Sequence, residues 1–247
     1  MGHWYSKSGE PCHFMEKKDG GSRDTTLRDA RKLNLFPSVT EILNIAAKPA
    51  LTNWLVNQAY LSALTLPKNE GESLDDFKKR AERDAKKEAQ DAAELGSQIH
   101  NDIERLFLGQ KPLVHATAAQ AVYDFVVDYT GIKDGWIAEK TFASPYGYGG
   151  MIDLHHPGGW VVDYKTKDFS EIGAQMAYDD HAMQLSAYAH GIEIPKARKM
   201  NIFVSRTTPG LIAHYEWNDD YFDRFECLLK YWQLCKGYQP VYIDNAA

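Results

Sequence analysis

The sequence predicts an α/β protein: a central mixed sheet flanked by helices, with a helical region ahead of it. Three observations predict it. Residues 136–165 hold three runs rich in β-branched and aromatic residues. A helical stretch at about 174–191 follows, then strand-like runs at about 200–205 and 211–217. Before the first strand, residues 38–129 carry capping signals and helical spacing.

The elements follow in order. Residues 1–35 are polar and turn-rich, a short hairpin and then an arm. Ser38-Val39-Thr40-Glu41 is a capping box that opens a helix, and Pro49 ends it. A second helix covers about 50–64, and 66–71 is a loop. Ser73-Leu74-Asp75-Asp76 caps a long helix to about Leu95. Gly96 breaks or bends it before a helix that carries His100 and ends near Gly109. Residues 116–129 form another helix. A final helix spans about 219–236, with Tyr221, Phe225, Leu228, Leu229 and Trp232 at helical spacing. That stripe is core and not a base-stacking platform. No repeat or low-complexity segment interrupts the chain.

The chemistry concentrates in one hairpin. Trp160-Val161-Val162-Asp163-Tyr164-Lys165 follows the turn signal Pro157-Gly158-Gly159, and Gly149-Gly150-Met151-Ile152-Asp153 precedes it. Strand side chains alternate, so Asp163 and Lys165 share a face while Val162 and Tyr164 take the other. Pairing through the turn sets Asp153 beside Asp163. The two glycines admit a close approach by backbone or ligand. Two adjacent carboxylates repel unless a cation lies between them. Mg²⁺ is commonly held by one or two carboxylates plus substrate phosphate, and Lys165 places a fixed positive charge where negative charge develops. By itself an Asp-x-Lys pair describes an exposed surface hairpin.

Other residues join the hairpin. Glu139 lies in the preceding strand-like run, where a lone charge is ordinarily exposed. Gln184 and Tyr188 are four apart on one helical face, as are His100 and Glu104. Each pair taken separately reads as surface or core edge.

In order, Gly96 to His100, Glu139, Gly150 to Asp153, Asp163 to Lys165, and Gln184 to Tyr188 resemble the RecB-like branch of the PD-(D/E)XK nuclease superfamily. Upstream, Phe36 to Leu43 and Lys48 to Trp54 resemble phage-type and mitochondrial-genome-maintenance-type exonucleases; the start, His3 to Cys12, is also similar to phage members. The likeness covers about residues 3–205. It implies a restriction-endonuclease-like core at 96–247 with its C-terminal helix. Residues 1–95 would form an arm and helical region over the active site, all in one compact unit. It implies His100, Asp153, Asp163 and the Tyr164 carbonyl as metal ligands and Lys165 as the catalytic lysine. Gln184 and Tyr188 would order the site and contact DNA, and Glu139 matches a less uniform acidic position. Mg²⁺ or Mn²⁺ is the implied cofactor, and imidazole ligation suits Mn²⁺ better.

Composition bounds these expectations. The chain has 247 residues, 44% hydrophobic and 25% charged, which is ordinary for a soluble globular protein. No long apolar run predicts a membrane span, and no secretory signal opens the chain. Cys12, Cys227 and Cys235 suit a reducing compartment. Three thiols do not supply the four of an iron–sulfur cluster, and the eight-residue spacing of Cys227 and Cys235 suggests helix packing. The net charge of -6 argues against sequence-independent coating of DNA. Arg23, Arg28, Arg31 and Lys32 are one basic group; Lys78, Lys79, Arg80, Arg83, Lys86 and Lys87 are a second, laced with acids as in a solvated helix face.

The expected function is a metal-dependent DNA exonuclease acting from a free end, on single strands or on ends, in phage recombination or DNA processing. Such a protein would be cytoplasmic, in the bacterial host if phage-encoded, with a single-strand annealing protein as a possible partner. A structure-selective or flap endonuclease is the alternative. A non-catalytic DNA-binding recombination module is a third reading, opposed by the intact Asp153, Asp163 and Lys165.

Overall fold

In the computed structural model, which describes residues 2–173 and 176–242, a five-stranded mixed sheet is flanked by helices. Its strands are β5 (Ile137–Ser144), β6 (Tyr148–His156), β7 (Trp160–Lys167), β8 (Arg198–Ser205) and β9 (Ile212–Trp217), adjacent in that order. All neighbours are antiparallel except β7 and β8, which run parallel. Parallel neighbours need a crossover, and α6 (Asp179–Gly191) supplies it.

Two apolar clusters occupy the two faces. Val162, Tyr164, Met200, Ile202 and Val204 pack with Ile99 and Ile103 of α4 (Leu74–Phe107) and with Val122 and Val126 of α5 (Ala116–Thr130). Tyr148, Val161 and Phe142 pack with Leu185 of α6, Val39 and Ile42 of α2 (Val39–Leu43), and Phe225, Leu229 and Trp232 of α7 (Phe222–Lys236). The α7 stripe is therefore core, as its spacing predicts. Cys227 and Cys235 lie off that stripe and are exposed, not packed.

The N-terminal region is more structured than an arm. β1 (Trp4–Tyr5) pairs with β4 (Phe36–Pro37), and β2 (Phe14–Glu16) pairs with β3 (Ser22–Asp24). An unpredicted helix, α1 (Leu27–Leu33), starts on a full capping box between Thr26 and Asp29. At α2 only half of the expected box forms. Ser38 Oγ accepts from Glu41 N at 3.0 Å, but the Ser38 N–H goes to the His3 carbonyl at 2.9 Å. Pro49 does not end α2, which stops at the Asn44 cap. It opens α3 (Pro49–Thr65), where a missing N–H costs nothing.

α3 has no charged residue. It packs along α4 and leaves Leu51, Leu55, Tyr60, Leu61 and Leu64 exposed. α4 itself runs unbroken through Gly96, roughly 50 Å at the usual rise. The predicted break is absent because Gly96 serves packing: a Cβ there would meet Thr166 Oγ1 at 2.6 Å. The first half of α4 is the solvated face that its charges predict, with Lys78 and Glu82 paired at 3.9 Å. α6 begins at Asp179, later than the predicted 174; residues 174–175 lie outside the described residues. Among the described residues no helix is long and apolar enough to cross a membrane.

Candidate functional site

The site grows from the alternation along β7. Tyr164 faces the α4 side. Asp163 and Lys165 face α6, and Asp163 is only 2% exposed. A carboxylate so far from water needs partners, and it has them. Lys165 Nζ lies 2.9 Å from its Oδ1 and 2.7 Å from its Oδ2. Gln184 Nε2 donates to Oδ1 at 3.0 Å, and Asn201 Nδ2 donates to Oδ2 at 2.8 Å.

Each partner is fixed in turn. Gln184 accepts from Lys165 on Oε1 at 3.0 Å and donates to Tyr188 Oη at 2.8 Å, one helical turn on. Asn201 Oδ1 accepts from Trp217 Nε1 at 2.8 Å. The result is a continuous network joining β7, β8, β9 and α6, buried except at Lys165.

Asp153 stands where the sheet parts. The β6–β7 ladder runs from His156↔Trp160 to Leu154↔Val162. The next pair in that register is Asp153 opposite Asp163, as the hairpin predicts. Instead of continuing the ladder, Asp153 Oδ2 takes the Tyr164 backbone N–H at 2.7 Å. On the other side of β6, Glu139 sits at the same level with φ +51°, between the pairs Ala138↔Leu154 and Lys140↔Ile152. Ile152 and Leu154 consequently join opposite cores, although they are two residues apart. The parting lets groups from both faces meet. His100, on the α4 side, places Nδ1 3.7 Å from Asp153 Oδ2, and its ring stands edge-on to Tyr164 at 5.6 Å.

Gly149 and Gly150 do admit a close approach, by the Phe142 carbonyl at Gly149 as expected of backbone, and at both glycines by the protein's own side chains. A Cβ on Gly149 would meet Tyr5 Cβ at 2.9 Å, and one on Gly150 would meet the Tyr188 and Phe142 rings at 2.9 Å.

The electrostatics follow from this crowding. Burial, then Asp153, then Glu104 push the Glu139 carboxyl up to about 7. Burial raises Asp163 above the usual carboxylate range against the pull of Lys165, with Asp153 adding repulsion. Burial works against the Lys165 ammonium, but Asp163 and Asp153 outweigh it and hold the amine charged above its usual range. His181, at the start of α6, is driven down to about 4 by burial and then by Lys165.

These groups open onto a cleft of about 210 Å³ lined by His100, Asp153, Asp163, Tyr164, Lys165, Gln184 and Tyr188. His3, Tyr5 and Ser38 to Thr40 close its N-terminal side. α3 contributes no lining residue among those described. A larger hollow of about 650 Å³ lies between the start of β8 and the end of β9, and none of the site residues lines it.

Seven of the eight predicted residues thus line one cleft, and Glu139 adjoins it through its repulsion with Asp153. Sequence reading missed Asn201, although a lone amide between Met200 and Ile202 in an apolar strand is a readable signal. It also missed Tyr5 and His3, which reach the cleft only through the β1–β4 pairing.

The donor types fit a divalent cation in kind: carboxylates held against mutual repulsion, with an imidazole beside one of them. Among the described residues no three such side chains already converge as a cage. Each Asp163 oxygen has two protein donors, so ligation there requires Lys165, Gln184 or Asn201 to give way.

No family model matches the chain. No curated protein matches it. Among solved structures, one described as "Crystal structure of SSO0001" aligns with 76% of this chain and 87% of its own, at 19% identity and a TM-score of 0.36.

Proposed function

We propose that the protein is a divalent-cation-dependent DNA nuclease with a PD-(D/E)XK-type core, acting from a free DNA end. One observation carries the reading. A buried aspartate is locked by a lysine two residues on and by a helix glutamine, and it opens on a cleft shared with a second aspartate and a histidine. A structural ion pair does not need Asp153 and His100 brought to it through a parted sheet.

In this reading Asp153, Asp163, His100 and the Tyr164 carbonyl hold Mg²⁺ or Mn²⁺. When bound, such a cation polarises a phosphoryl oxygen and lowers the pKa of a bound water. The rest is done by the chain itself. Gln184 orients the Lys165 ammonium, which offers a fixed charge to the phosphodiester. Tyr188 accepts from Gln184 and keeps its own O–H to donate into the cleft. Burial keeps that phenol protonated, well above its usual range. β1 and the start of α2 narrow one side of the cleft, which suits a single strand.

A structure-selective endonuclease is the second reading. It is favoured by α3, which lies along α4 and adds no lining residue among those described. Linear and covalently closed circular DNA, incubated with Mg²⁺ or Mn²⁺, test the proposal. Loss of linear DNA alone supports the exonuclease, and nicking of circles supports the endonuclease. No hydrolysis of either overturns the nuclease, and full hydrolysis by Asp163→Asn removes Asp163 from its site.

A further inference from the structure

His3 has no site role predicted from the sequence, yet it lines the cleft with Lys165 and Asp153. It is exposed. Its ring lies parallel to that of His13, centroids 4.5 Å apart and planes 19° from each other. His13 is itself fixed. Its Nδ1 accepts the Trp4 N–H at 3.1 Å, and the Tyr5 ring stands edge-on to it at 5.2 Å. The backbone beneath His3 is fixed too, since its carbonyl accepts the Ser38 N–H at 2.9 Å and Cys12 N donates to the Trp4 carbonyl at 2.8 Å. An exposed ring adds little to packing, so holding it flat against a second ring at a cleft mouth calls for another reason.

We propose that the stacked imidazoles of His3 and His13 are a nucleobase platform, on which one base of a single-stranded DNA rests while its phosphodiester lies at Asp153 and Lys165. The inference rests on the nuclease reading of the cleft. Every base has a π-face, so stacking on an aromatic plane binds single strands without reading sequence. A plane set by backbone hydrogen bonds loses little freedom when a base arrives. Burial, then the neighbouring His3, lower the basicity of His13, so the under-ring is a neutral π-surface and not a second cation.

The test is binding of a fluorescent oligothymidylate to the full chain in excess chelator, which blocks hydrolysis. His3→Ala should weaken binding about 5- to 150-fold, the range for losing one stacked base. His3→Trp should restore it and His3→Lys should not. An oligonucleotide with consecutive abasic sites should bind the wild type as weakly as the intact strand binds His3→Ala. Equal affinity of wild type and His3→Ala, rescue by lysine, or no binding by the wild type overturns the platform. Thermal melting shows that each variant is folded. Hydrolysis with Mg²⁺ or Mn²⁺ is read separately. A wild type that cuts DNA while His3→Ala binds normally sinks the platform alone. One that binds in a base-dependent way but never cuts sinks the nuclease alone.

Discussion

Gln184 Nε2 donates to Asp163 Oδ1 at 3.0 Å, tying helix α6 to the centre of the sheet. The same amide group holds Lys165 and Tyr188, so one side chain sets three others. Gln184→Leu keeps most of the volume but strips every one of these bonds. Leaving buried polar groups unsatisfied costs about 1–3 kcal/mol, which urea unfolding should show. Hydrolysis should fall by at least ~10²-fold, the scale of losing one positioned donor. Wild-type activity in this variant would show that the network only supports the fold.

Lys165 and Asp163 should separate chemistry from metal binding. Lys165→Ala removes the ammonium 2.7 Å from Asp163 Oδ2 and frees that carboxylate for a cation. Metal binding should persist while hydrolysis drops by at least ~10²-fold. It should also destabilise the metal-free protein, by about 3–5 kcal/mol for an unpaired buried charge. Asp163→Ala should abolish both metal binding and hydrolysis. Titration calorimetry with Mn²⁺, beside a nuclease assay, distinguishes the two; full activity in excess chelator would reject both expectations.

Glu139 gives a pH dependence with a definite sign. Burial and the neighbouring acids Asp153 and Glu104 raise it from the ordinary 4.5 to about 7. A carboxyl raised in the folded state holds its proton there while the unfolded chain has lost its own. Its stabilising contribution is therefore complete below 4.5 and is lost as pH rises to and through about 7. In chelator, the melting temperature should show this decline, and Glu139→Gln should flatten it. An unchanged slope in that variant would remove Glu139 as the source.

Much of this is legible in the sequence. The Pro157–Gly159 turn fixed the β6–β7 register, and strand alternation then separated Asp163 and Lys165 from Tyr164. What local rules do not reach is a group's use in three dimensions. Gly96 looks like a breaker along the chain, but packing against Thr166 overrides helix propensity. His3 and Tyr5 reach the cleft through pairing with a strand more than thirty residues away, and no periodicity announces that. Asn201 is visible as a lone amide in the apolar run 200–204, but only the β7–β8 pairing and the Trp217 bond show which carboxylate it holds.

His100 should behave as a ligand and not as a packed core histidine. It approaches Asp153 from the α4 face and is partly exposed to the cleft. His100→Ala should weaken Mn²⁺ more than Mg²⁺, since nitrogen ligation favours the former. Melting temperature in chelator should fall only slightly, because the partly exposed ring gives up one edge contact, to Tyr164. Unchanged metal affinity by calorimetry would remove His100 from the ligand set.

Cleavage should need a free DNA end. The cleft is small, about 210 Å³, and is closed on one side by His3, Tyr5 and the start of α2. A duplex is far wider than such an opening, whereas a single strand fits it end-on. Linear substrates should be degraded to short products, with single strands degraded faster than duplex. Covalently closed circular single strands should survive the same conditions. Because β1 and α2 form the closed side, weakening their join should open it. Replacing Ser38 by proline removes the N–H that bonds the His3 carbonyl at 2.9 Å. If threading governs access, this variant should begin to nick circles while the wild type does not. Rapid nicking of closed circles by the wild type would reject threading and favour the endonuclease.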